Sequence, residues 1–131
     1  MDRKLTIAGI LLLLQLIAFP LVRAYDLYHR FWFTDVLLHI EAGVMFGLVW
    51  LWVLKKSIVS KKIAASTTIF FATTMSFLWE VWEFWGWHLF PGRTQNYIPD
   101  LGDSLSDIAC GLFGALILCL IIFIQRNNKN Y

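Results

Sequence analysis

Residues 35–54, DVLLHIEAGVMFGLVWLWVL, decide how the chain reads. A run of this length, wound as one helix rising 1.5 Å per residue, crosses the roughly 30 Å of hydrocarbon in a bilayer. It carries Asp35, His39 and Glu41 among apolar residues, so it is a span with ionisable groups inside it rather than a plain anchor. Such groups cost roughly 2.5 to 3.5 kcal/mol each near a helix centre, somewhat less toward its ends, and point to a functional site by default.

Three further apolar stretches accompany it: LTIAGILLLLQLIAFPLV (5–22), a run from Ile63 that ends in SFLWEVWEFWGW (76–87), and DSLSDIACGLFGALILCLIIFI (103–124). In lipid every backbone group must be satisfied within its own segment, which leaves helices. The expectation is an all-α polytopic membrane protein: residues 1–131 as a single membrane domain, an antiparallel bundle of four transmembrane helices at about 5–22, 34–54, 63–87 and 103–125. A composition of 59% hydrophobic and 17% aromatic residues excludes an ordinary soluble domain, and no nucleic-acid partner is expected. The first stretch follows MDRK and precedes VRA, as a secretory leader would. Its apolar run is longer than a leader core, so it is read as a retained helix. Cys110 and Cys119 lie about 13 Å apart along one helix, too far to pair, and read as small buried hydrophobes.

Orientation follows from the basic residues. Arg3, Lys4, Lys55, Lys56, Lys61, Lys62, Arg126 and Lys129 fall at one end of a four-span bundle, and only Arg23, Arg30 and Arg93 at the other. The positive-inside rule then predicts a bacterial cytoplasmic membrane protein with both termini in the cytoplasm. Three polar pairs, remote in sequence, converge at the outer end: Asp35 with His39, Glu80 with Glu83, and Asp103 with Asp107.

Within each pair a spacing of three or four residues puts both side chains on one helix face. Thr73, Ser76 and Trp87 share the stripe of Glu80 and Glu83, whereas Trp79, Trp82 and Trp85 fall on the opposite, lipid-directed arc; Glu41 is off its helix's polar stripe. Below the acids, Gly43 and Gly47 on one helix and Gly111 and Gly114 on another make the small-residue pattern that lets helices touch. Asp35 and Asp103 each have an alternative reading as helix N-caps. Asp107 and His39 lie a turn too deep for that. Five carboxylates at low dielectric cannot all ionise without a compensating cation. Carboxylate oxygens with one imidazole suit a divalent metal such as Mg, Mn, Fe or Zn, so Asp35, His39, Glu80, Glu83, Asp103 and Asp107 are the candidate ligands. The loop HLFPGRTQNYIPDLGDS (88–104) brings Arg93 and Tyr97 over the same end, and an arginine beside a metal fits a phosphate or carboxylate head group.

With these residues in hand, the chain resembles the small bacterial membrane proteins of the VanZ-like and YjdF-like type. The match is DVLLH…G, the acidic pair in EVWE, PGR, and GDSLSDIACGLFGA, over roughly residues 33–116. VanZ-like sequences carry Gln where Glu83 stands and Asn where Asp107 stands, with a shorter loop around the arginine, so the acid-rich pattern looks more like the YjdF-like group. The resemblance implies a helical membrane bundle and a cell-envelope role; the glycopeptide-resistance association of VanZ-like proteins does not transfer with it.

The leading expectation is an outward-facing carboxylate and histidine site that holds a divalent metal and binds or acts on a phosphorylated lipid or lipid-linked envelope precursor. As an enzyme it would be a metal-dependent hydrolase or transferase, with Arg93 holding the head group and His39 or Glu83 as general base. One alternative is a non-catalytic membrane protein altering drug or lipid access, its acidic cluster structural. Another is an ion or proton pathway, which the lack of polar residues other than hydroxyls such as Thr73 and Ser76 below His39 and Glu80 disfavours.

Overall fold

The computed structural model describes residues 2–25, 27–89 and 100–127. It is all-helical among those residues: α1 (Arg3–Ala24), the single turn α2 (Leu27–Arg30), α3 (Phe33–Val53) continued by a 3-10 turn (Leu54–Lys56), α4 (Lys61–Leu89) and α5 (Leu101–Asn127). The long helices run about two residues past the apolar stretches at most ends, because polar residues at the interface keep the helical backbone bonds going.

Three of the four long helices begin on a side-chain cap. Asp2 Oδ1 accepts the Lys4 N–H at 3.0 Å, Ser60 Oγ accepts the Ile63 N–H at 3.3 Å, and Asp100 Oδ1 accepts the Asp103 N–H at 2.8 Å. Each satisfies a donor that the first turn leaves open. α3 has no such cap; its N-terminal residue Trp32 is itself helical, and α2 leads into it. The cap readings of Asp35 and Asp103 are therefore overturned. Asp100, which the motif reading passed over, caps α5, and Asp35 turns its carboxylate to His39.

Contacts between remote residues fix the helix directions. Lys55 Nζ donates to Asp2 Oδ2 at 2.7 Å, so α3 ends where α1 begins. Residues 57–60 reverse the chain into α4, and Cys119 Sγ lies 3.9 Å from the Ala65 carbonyl, so α5 ends where α4 begins. α3 is the central element, packed on α1, α4 and α5. The bundle is antiparallel, as expected.

Small residues bring α3 and α5 into backbone contact. A Cβ placed on Gly43 would run into the Gly111 carbonyl, and one on Gly114 into the Ile40 carbonyl. Gly47 sits against Leu118 and Thr68, and Gly111 against the Ser76 hydroxyl. Toward the Lys55 end, Ala8, Met45, Leu48 and Leu118 form the apolar core, and Trp50 stacks on Phe71 with ring centres 4.6 Å apart.

All four segments were expected to be apolar enough to span a bilayer by themselves. Among the described residues three are: Arg3–Val22, Phe33–Lys56 and Leu101–Gln125. α4 is long enough, at 29 residues, but richer in hydroxyls and acids. Most of its hydroxyls are satisfied internally: Thr67, Thr68, Thr74 and Ser76 donate to the carbonyls of Ile63, Ala64, Phe70 and Ala72 one turn back, whereas Thr73 Oγ1 is buried without a partner. This lowers the cost of placing them in lipid.

The tie between Asp2 and Lys55 makes a pH prediction. The Lys55 ammonium, followed by the Lys4 N–H, holds the Asp2 carboxyl below its ordinary range. A depressed carboxyl contributes stability above its unfolded pKa and loses it as pH falls through the folded value. Asp2→Asn should therefore lower the thermal midpoint slightly at about pH 7, with the difference from wild type shrinking as pH falls below the ordinary carboxyl value of 3.8 and in high salt. Melting curves of both proteins in one detergent check this.

Candidate metal centre

Three helices deliver the site to one depth. His39 lies six residues after Phe33 on α3 and Asp107 six residues after Leu101 on α5, so both stand about 9 Å inside the same end of the bundle. Glu80 lies nine residues before the end of α4, about 14 Å in. Just below them Gly43, Ser76 and Gly111 form the layer in which the three helices touch, and that contact draws the polar residues together.

His39, Glu80 and Asp107 are buried and Asp35 is half-buried. The two faces of the imidazole do different things. Nε2 faces Asp35 Oδ1 at 3.5 Å and Asp107 Oδ2 at 3.7 Å, whereas Nδ1 faces Glu80 Oε1 at 3.9 Å. Among the described residues His39 is thus the one basic side chain that faces all three carboxylates. One imidazole cannot neutralise three carboxylates, so protons or a further cation have to make up the balance.

These separations are longer than good hydrogen bonds, which fall at about 2.7–3.2 Å. The two Nε2 separations lie slightly above those of ligands sharing one ion, so a small closure of the helices would seat one: with bonds of about 2.1 Å, neighbouring ligand atoms stand about 3.0 Å apart in an octahedron and about 3.4 Å apart in a tetrahedron. The ligand atoms of Asp35, His39 and Asp107 all lie within 4.8 Å of one another and can hold a metal ion. Glu80 Oε1 is shut off from solvent and has no hydrogen-bond partner, while Ser104 is within hydrogen-bonding reach of the same side chain.

The remaining expected site residues are placed less centrally. Glu83 is half-buried on the wall of an adjoining cavity, and Asp103, in the first turn of α5, lies outside the compact Asp35, His39 and Asp107 group. Trp82 and Trp85 point outward, 57% exposed each, as expected. Trp79 does not: it is half-buried, edge-on to Phe19 of α1 with ring centres 5.7 Å apart, and lines the cavity. Phe19 of α1 covers that ring, which helical spacing within α4 alone does not reveal. Arg93 and Tyr97, and the side chain of Trp87, lie outside the described residues.

That cavity, of about 180 Å³, runs from Asp35, His39 and Glu83 down between α1, α3 and α4. It adds a polar residue that motif reading missed, Gln15 on α1, whose Oε1 is buried without a partner. The signal was present in the sequence: Gln15 is the one amide in the apolar run 5–22.

Fold and site together define an integral membrane protein with a buried Asp-His-Asp group between its helices. The chain belongs to the family described as predicted membrane protein (DUF2238), whose model matches residues 3–128. No curated protein and no solved structure matches it.

Proposed function

We propose that this protein binds one divalent metal ion within the bilayer, on Asp35, His39 Nε2 and Asp107, and presents it to a phosphorylated lipid. The observation that carries the reading is the placement of His39 Nε2 between two carboxylates at 3.5 and 3.7 Å while Nδ1 faces a third. This is the order of a carboxylate–histidine–metal relay, in which the outer carboxylate fixes the tautomer and orientation of the ligating imidazole. Glu80 then acts as that outer partner rather than as a ligand. A shift of about 1 Å brings its oxygen into hydrogen-bond range of Nδ1.

The donor set, one nitrogen and carboxylate oxygens, favours Mg, Mn, Fe or Zn over a thiophilic metal. Such an ion supplies Lewis acidity toward a phosphoryl oxygen. With His39 committed as a ligand, Glu83 is the side chain left on the cavity wall to accept a proton from an attacking hydroxyl, as a lipid phosphate hydrolase or transferase would need. With the lysine-rich end in the cytoplasm, as its charge bias predicts, the centre opens toward the outer leaflet of a bacterial cytoplasmic membrane. The resemblance to VanZ-like and YjdF-like proteins supports an envelope role.

Elemental analysis of protein purified without chelator tests the reading. About one equivalent of a divalent metal is expected in wild type, falling well below that in Asp107→Asn, whereas Glu41→Gln, off the site, retains it. Metal-free wild type that also fails to take up added Mn or Zn would refute it.

A further inference from the structure

The cavity beneath the metal centre is shaped by a missing contact. α1 packs along α3 but meets α4 only marginally, the visible link being the Phe19 and Trp79 rings near the site end. Between α1 and α4 the cavity wall is formed by Leu12 and Leu16, which are at the same time 48% and 64% exposed to the outside. A side chain that both lines a cavity and faces outward stands at a mouth. In this chain the outside at that height is bilayer, since Leu12 and Leu16 lie in the middle of the Arg3–Val22 span.

We infer that this fissure is a lateral entry for a lipid, whose hydrocarbon chain lies between α1 and α4 with its head at Asp35, His39 and Glu83. The inference rests on the proposed function for the seat of the head, since a phosphate beside the Asp35 and Glu83 carboxylates needs the metal between them, and it deepens that reading by naming the route and the substrate class; the seating of the hydrocarbon chain between α1 and α4 does not itself require the metal. Three features select this occupant. The lining is apolar apart from its upper end, and a volume near 180 Å³ exceeds cavities of about 150 Å³ that stay dry and take up small hydrocarbons. Water would need two to four polar partners, and below Asp35, His39 and Glu83 the lining offers, among the described residues, only Gln15 and Ser76, the Ser76 hydroxyl already donating to the Ala72 carbonyl. A chain already in the membrane enters sideways without crossing a polar surface. Gln15 adds selectivity: its Oε1, buried and unpartnered on the α1 wall, is satisfied by an N–H or O–H donor. The lipid class is thus one that carries a hydroxyl or amide donor between chain and phosphate, such as a lysophosphatidate.

The test is photolabelling of the full chain in nanodiscs with a lysophosphatidate carrying a diazirine in its acyl chain, the adducts mapped by mass spectrometry, with and without chelator. Adducts are expected on residues inside the fissure, among them Ala42 and Met45, and a Leu16→Trp substitution at the mouth, which disturbs no buried residue, should reduce them by about tenfold, the equivalent of 1.4 kcal/mol. Gln15→Leu should reduce labelling by the hydroxyl-bearing probe by about fivefold, the effect of one neutral hydrogen bond, and leave labelling by a matched probe with the hydroxyl methylated unchanged. Adducts confined to outward residues such as Leu13 and Leu14, undiminished by Leu16→Trp, would overturn the inference. So would crosslinks showing that a second copy of the chain covers the fissure. Labelling that persists in chelator upholds the chain site even where the elemental analysis finds no metal, so the two readings fail separately.

Discussion

Gly43→Leu is expected to destabilise the bundle by about 3 kcal/mol, because the added side chain meets backbone rather than a movable side chain. A Cβ at this position runs into the Gly111 carbonyl, so α3 and α5 have to separate or rotate. Even alanine should be costly here. At Gly86 or Gly9, where a Cβ meets nothing within 4 Å, alanine should be neutral or mildly stabilising. The contact layer lies one turn below His39 and Asp107, so pushing the helices apart there also spreads the ligand atoms. Unfolding in mixed micelles, followed by circular dichroism, should show the stability loss. Metal affinity should fall in the same variant although no ligand is altered.

Asp107→Asn should act in the opposite manner. The introduced asparagine is nearly isosteric and removes one of three carboxylates crowded around a single imidazole, so the metal-free variant is expected to be at least as stable as the metal-free wild type. Metal affinity should drop by at least about 100-fold, more than the loss of an outer partner costs. The difference is read directly in melting curves. Metal at 100 times its dissociation constant adds about 2.7 kcal/mol to wild type and no more than about 0.4 kcal/mol to the variant at the same concentration. A structural cluster predicts the reverse pattern: the variant less stable, and neither protein responsive to metal.

Much of this was legible in the sequence, and the reasons it stopped where it did are physical. Length and hydropathy fix three of the spans, and the i, i+4 spacing of His39 with Gly43 and of Asp107 with Gly111 places an acid-bearing face above a close-approach face on α3 and on α5. That the two faces meet follows from combining these patterns with an antiparallel topology. What helical spacing could not distinguish is which of several acids on a face is central. Asp103 and Asp107 are indistinguishable by periodicity, yet only Asp107 lies deep enough to meet Nε2 of His39. Likewise Glu80 and Glu83 share a stripe, but Glu80 is buried against His39 whereas Glu83 is half-buried on the cavity wall. The position of α1 was the least accessible. Its leucines carry little directional preference, so neither its cover over Trp79 nor its open fissure against α4 could be read from periodicity. Gln15 was the only hint of an inward face.

The central claim is that His39 Nε2 ligates a metal with Asp35 and Asp107, and pulsed electron paramagnetic resonance of the Mn(II)-loaded protein addresses it most directly. The account predicts one equivalent of tightly bound Mn(II) with nitrogen-14 modulation from a single imidazole. In His39→Gln the modulation should disappear and the affinity fall, while Glu80→Gln should keep the modulation with weaker binding. Mn(II) that fails to bind, or nitrogen modulation that survives in His39→Gln, would contradict it.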